Sequence, residues 1–237
     1  MNLDTLKTKI FADGANKAGI LELAKNPAIK GFTTNPTLMA AAGITDYEGF
    51  CRDLLTVVPD APISFEVFSD DFDEMARQGR QIASWGSNVY VKIPITNTKR
   101  EFSGDVVRKL AGEGLRLNVT ALFTLKQVND IIPCLEGSPS SYISVFAGRI
   151  ADTGRDPVPL MADCVKAMAV NDKLELIWAS PRELLNIFHA DSIGCHVITV
   201  THDILKKLQL VGKDMDDYSA ETVQMFYNDG LKAGFKL

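Results

Sequence analysis

Short β-rich runs alternate with amphipathic helical stretches along this chain, and no other pattern in it restricts the fold so tightly. The runs fall at residues 9–13 (KIFAD), 30–35 (KGFTTN), 62–68 (PISFEVF), 88–96 (NVYVKIPIT), 115–120 (LRLNVT), 142–146 (YISVF), 174–179 (LELIWA) and 195–200 (CHVITV). Between them, helical periodicity covers residues 16–25, 47–58, 70–84, 103–112, 125–135, 158–170 and 181–188, with Pro36 placed to begin a helix after the second run. Thr45 and Thr201 are the expected N-caps. Eight such units of about 25–30 residues predict a (β/α)8 TIM barrel in a single domain, residues 1–237. Residues 217–235 add a C-terminal helix to it. An open doubly wound sheet is the alternative, but no GxGxxG follows the first run.

The fourth run contains a puzzle. Lys92 sits in a β-branched, apolar segment, where an ammonium group is costly to bury unless its chemistry is used. Alternation puts Val89, Val91 and Ile93 on one face and Asn88, Tyr90 and Lys92 on the other. Two readings stand side by side: a charge guarding a sheet edge, which Pro94 also fits, or a desolvated amine able to form a Schiff base.

In a barrel of this kind the chemistry sits at the C-terminal strand ends. If Lys92 points inward, the same parity turns Asp13, Thr33, Asn35, Glu66, Asn118, Thr120, Ser144 and Phe146 inward, and the seventh run leads into Ser180. Asp, Asn, Ser and Thr also end strands simply because they begin turns. Glu66, among Phe65, Val67 and Phe68, must be paired or solvated. Arg149 and Arg182 follow the sixth and seventh runs and reach the same rim. With Ser180 and a helix start near Pro181 they form a set of donors suited to phosphate, although exposed arginines are common. Arg155, in the same loop, is read as a surface residue.

Composition narrows the classes of partner. Apolar residues make up 46% of the chain, enough for a sizeable core, and a net charge of −5 without a basic stripe argues against nucleic acid and against a membrane surface. Cys51, Cys134, Cys164 and Cys195 lack CxxC spacing and read as reduced thiols, and the three histidines lack the spacing of a metal pair. No metal site is expected. With no apolar signal region at the start and no run near 18 apolar residues, a cytoplasmic protein is expected.

The runs are also specific as words. FADGAN, GFTTNPTLM, FEVF, VYVKIPIT, LNVTALF, ISVFAGRI and ASPRE occur in order over residues 11–183, and together they resemble the transaldolase and fructose-6-phosphate aldolase family of Schiff-base aldolases. The resemblance implies a barrel that needs no cofactor, with Lys92 forming an imine on a ketose. Near neutral pH this calls for a proton held more loosely than in free lysine, at about 10.4. It implies that Asp13 moves the hydroxyl proton of the cleaved unit, and that Glu66 and Thr120 position a water. Asn35, Asn118, Ser144, Thr33 and Phe146 would surround the dihydroxyacetone unit, and Arg149, Ser180 and Arg182 the phosphate.

Within the family, Glu and Phe at the positions of Glu66 and Phe146 go with transfer to an aldose phosphate, and Gln and Tyr with simple aldol cleavage. A transaldolase acting on fructose 6-phosphate, as in the pentose phosphate pathway, is therefore the expectation. Aldolase-type release of dihydroxyacetone, a transaldolase for another anionic ketose, and a silent sugar-phosphate binding protein are the alternatives. Gly14 and Trp178 depart from the common motif and are expected to alter the pocket's shape. The compact branch of the family also implies a homo-oligomer, a ring or a dimer of rings, assembled through residues 217–237.

Overall fold

The computed structural model describes residues 3–236. Eight parallel strands close on themselves in chain order: β1 Lys9–Asp13, β2 Ile29–Thr33, β3 Ile63–Glu66, β4 Val89–Pro94, β5 Leu117–Leu122, β6 Ser141–Val145, β7 Leu174–Trp178 and β8 Val197–Thr201. Since β8 pairs with β1 over its whole length, Lys9 to Asp13 against Val197 to Thr201, the sheet has no edge. The edge-guarding reading of Lys92 therefore fails, because β4 is bonded to β3 on one side and β5 on the other. Pairing is uneven around the ring. β2 meets β3 at only two positions, Phe32 with Ile63 and Thr33 with Ser64.

Strand alternation sorts the interior. Outward residues such as Val89, Val91, Ile93, Leu117, Val119, Ile143 and Val145 join the apolar layer under the helices. The lower interior is filled instead by Phe11, Tyr90, Tyr142, Ile177 and Val197. Phe11 and Tyr142 pack edge to face with ring centres 5.6 Å apart, and Tyr90 lies 4.4 Å from Tyr142. Gly31 makes this floor possible, since a β-carbon there would come within 2.6 Å of the Phe11 ring. Polar side chains gather above the floor because that is where the strands end and solvent begins.

The helices begin where side chains can satisfy their free amides. Asn16, Asn35, Asp46 and Asp71 each accept from a backbone N–H three residues on, and Thr124 with Gln127 forms a capping box. The cap before Tyr47–Val57 is thus Asp46 and not Thr45, and Thr201 makes no side-chain cap. Residues 147–157 do not form one loop, because Ala147–Ala151 is a short helix. The helix expected from Pro181 begins instead at Leu185. There the Asn186 side chain accepts from the backbone N–H groups of Arg182 and Glu183, and this turn delays the helix. The C-terminal helix, Met215–Ala233, has no buried residue. No helix among the described residues is long and apolar enough to cross a membrane.

Candidate active site

Lys92 is 6% exposed, and its ammonium group points into the upper barrel. Nζ donates to the backbone carbonyl of Thr34 at 3.1 Å, just past β2, and lies 3.5 Å from Glu66 Oε2 on β3. Glu66 and Lys92 are register partners, so the pair follows directly from strand alignment. Buried ion pairs of this kind seldom add net stability, because both charges lose their water. Tyr47 OH holds the Glu66 strand from behind, donating to the Glu66 carbonyl at 2.6 Å and accepting from its N–H at 2.9 Å.

A cavity of about 460 Å3 opens above the amine, walled by Asp13, Thr33, Asn35, Glu66, Thr120, Ser144, Phe146, Arg149, Ser180 and Arg182. Asp13 accepts from the Thr33 hydroxyl at 2.7 Å. Desolvation pushes its carboxyl above the ordinary range, against the pull of Lys92 and the Thr33 hydrogen bond. Glu66 is raised for the same first reason, with Lys92 opposing and Asp13 reinforcing. Both carboxyls are therefore proton acceptors with more affinity than a surface carboxylate has.

Asn35 spends its side-chain oxygen on the N–H of Leu38, which leaves its amide protons for a ligand at the cavity wall. The Thr120 hydroxyl is buried with no hydrogen-bond partner among the described residues. Asn118 is not on the wall. Fully buried, it donates to Ser64 at 3.0 Å and accepts from Ser144 at 2.7 Å, so it meets the cavity through the Ser144 hydroxyl and not directly.

The cationic rim also differs from expectation. Arg182 is engaged through Nε and Nη2 by both carboxylate oxygens of Asp152, which leaves Nη1 for an incoming anion. Arg182 and, to a lesser degree, Arg149 hold the Asp152 carboxyl below its ordinary range. Arg149 stacks its guanidinium 5.1 Å from the Phe146 ring centre, a cation–π contact at the cavity mouth. Ser180 and Ala121, both on the cavity wall, have left-handed backbones with φ of 60° and 62°. Strain of this sort collects where side chains are aimed for function. Because the helix expected at Pro181 begins four residues later, it offers no amides beside Ser180.

Trp178 does not shape the cavity. It is fully buried in the outer layer, 6.5 Å ring to ring from His189. Gly14 does matter locally, since a β-carbon there would come within 3.2 Å of His202 Nε2. Two wall residues, Thr199 and Thr201, and the arginine partner Asp152 were not among the expected site residues. The parity of the eighth run would have found the threonines, whereas nothing in the sequence distinguishes Asp152 from its charged neighbours.

An amine, two proton-accepting carboxyls and two rim cations over one hydrophobic floor define an enzyme-type barrel site. The chain belongs to the transaldolase/fructose-6-phosphate aldolase family, whose sequence model matches residues 10–236. It is 34% identical over 230 residues to a protein named probable transaldolase from Thermoanaerobacter sp., covering 97% of this chain and 100% of that one. A protein of the same name from Dehalococcoides mccartyi is 34% identical over 201 residues, 84% of this chain and 89% of the other. Among solved structures, a mandelate oxidase aligns with a TM-score of 0.57 at 11% identity, over 84% of this chain and 70% of that one. A cube-shaped, highly porous designed protein cage aligns with a TM-score of 0.53 at 12% identity, over 98% and 87%. These two share the fold alone.

Proposed function

We propose that this protein is a transaldolase that carries a dihydroxyacetone unit from a ketose phosphate, such as fructose 6-phosphate, to an aldose phosphate through an imine on Lys92. The observation that carries the reading is the buried Lys92 amine, 3.5 Å from Glu66, inside a cavity that also presents Asp13 and the two arginines. The amine adds to the ketose carbonyl and water leaves, giving an iminium ion. Asp13 takes the proton of the C4 hydroxyl, the C3–C4 bond breaks, and its electron pair moves into the iminium to form an enamine. The aldehyde departs. The enamine then adds to a second aldehyde by the reverse steps, and water releases the product.

Glu66 and Thr120 hold the water that shuttles protons to nitrogen, Asn35 and Ser144 receive the sugar hydroxyls, and Arg149, Ser180 and Arg182 receive the phosphate. Phe146 favours transfer over hydrolysis, because a phenyl ring cannot orient water towards the enamine. Borohydride with fructose 6-phosphate is expected to add the reduced sugar fragment at Lys92, and Lys92→Ala to abolish the addition; a tag elsewhere, or none, sinks the reading. Turnover should depend strongly on an aldose such as erythrose 4-phosphate. Equal release of dihydroxyacetone without it would identify an aldolase, and reversible binding with no trapped imine a silent binding protein.

A further inference from the structure

Asp13 sits between two strands whose threonines are bonded to each other. On one side Thr33 of β2 is its register partner, and on the other Thr199 of β8 lies one interior layer lower, opposite Phe11. Both threonines are buried, and both border the cavity. Thr33 Oγ1 approaches Asp13 Oδ1 at 2.7 Å, and the same oxygen forms a hydrogen bond with Thr199 Oγ1.

Counting protons fixes the direction of this chain. An ionised carboxylate only accepts, so the single proton of the Thr33 hydroxyl is spent on Asp13. The proton between the two threonines must then belong to Thr199, which leaves Thr199 an acceptor towards the cavity. If Asp13 carries a proton on Oδ1, the order reverses: Asp13 donates to Thr33, Thr33 donates to Thr199, and Thr199 turns its own proton to the cavity.

We propose that Thr199 is a positioning residue for Asp13, holding Thr33 as a donor to the ionised carboxylate and turning over with it when Asp13 is protonated. The inference rests on the acid/base role given to Asp13 above and adds a member to its machinery. During cleavage the proton of the substrate hydroxyl passes to Asp13, and two O–H rotations then convert an accepting wall into a donating one. No proton leaves the pair of threonines. The new donor faces the cavity as the departing aldehyde gains a carbonyl oxygen that can accept it, and it is withdrawn when Asp13 ionises again.

Removing Thr199's proton should loosen Thr33 and weaken its bond to the carboxylate, since hydrogen bonds in a chain strengthen one another. The charged or titratable groups facing Asp13 are Lys92 from β4, Glu66 from β3 and His202 from the helix after β8, and a change at Thr199 leaves all of them in place. The test is a carbon-13 titration of the Asp13 carboxyl, assigned with Asp13→Asn, in wild type, Thr199→Val and Thr199→Ser. Thr199→Val should raise the midpoint by about half a pH unit or more and slow cleavage about tenfold, with imine trapping at Lys92 retained. Thr199→Ser should restore both. If Thr199→Val does not fold, Thr199→Ala carries the same expectation. An unchanged midpoint in the valine or alanine variant, or no restoration by serine, overturns the proposal. Failure of wild type to trap an imine overturns the Schiff-base reading instead, because the titration does not depend on any imine.

Discussion

Asp13 shows how a single side chain couples chemistry to stability. Its folded carboxyl holds a proton more tightly than the unfolded chain does, chiefly because burial disfavours the charge. As pH rises, the unfolded chain ionises first, near 3.9, and the fold loses stability until the raised native value is passed; the loss then persists at higher pH. Asp13→Asn keeps an oxygen to accept from Thr33 and removes that loss. We expect it to raise the melting temperature by roughly 2–4 °C at pH 8 and by much less at about pH 3, below the value at which the unfolded chain ionises. Equal shifts at the two pH values in thermal melts would show that burial of charge is not the cause. The same variant should lose cleavage. A residue that weakens the fold once ionised fits the proton-accepting role proposed for Asp13.

At the scale of elements, the mouth depends on one close approach. A β-carbon on Gly148 in the short helix Ala147–Ala151 would lie 1.5 Å from the carbonyl oxygen of Ser180. Gly148→Ala must therefore displace the turn that carries Ser180 and Arg182. Overpacking of this kind typically costs about 1–3 kcal/mol. The expected result is a lower melting temperature together with a raised KM for phosphorylated ketoses, and little change in KM for dihydroxyacetone; wild-type values for both would refute it.

How far the sequence speaks also divides by element. Strands are readable because β-branched residues at period two state both existence and facing, as Val89 to Ile93 do, whereas Asn35, read as the end of the second run, lies past β2 and caps the next helix. The delayed helix at Leu185 is not readable, since its start depends on Asn186 reaching back to the backbone of Arg182. The Asp152 clamp on Arg182 spans thirty positions of sequence and leaves no local trace. Parity turns Asn118 inward but gives direction without depth, and the structure buries it completely against Ser64 and Ser144.

For the whole molecule, the C-terminal helix Met215–Ala233 is an unfinished surface. Val223, Met225, Phe226, Tyr227 and Leu231 are all exposed, Phe226 at 64%, and none packs into the barrel core. Val223, Phe226, Tyr227 and Leu231 share one face at helical spacing, and an exposed apolar face is the usual material of an interface. We expect it to meet a second copy of this chain and build a homo-oligomer. Sedimentation should give wild type as an assembly and Phe226→Glu as smaller species with the barrel intact. A wild-type monomer at micromolar concentration would end the idea.

One detail of Lys92 reaches beyond its own chemistry. Its amine touches the chain just past β2 and the carboxylate ending β3, and those two strands meet at only two positions. The amine is thus a clasp across one of the two sparsely paired seams of the barrel, the other being β7 with β8. Whatever becomes attached to that nitrogen also alters how the ring is fastened, so occupancy of the site and tightness of the scaffold share a single atom.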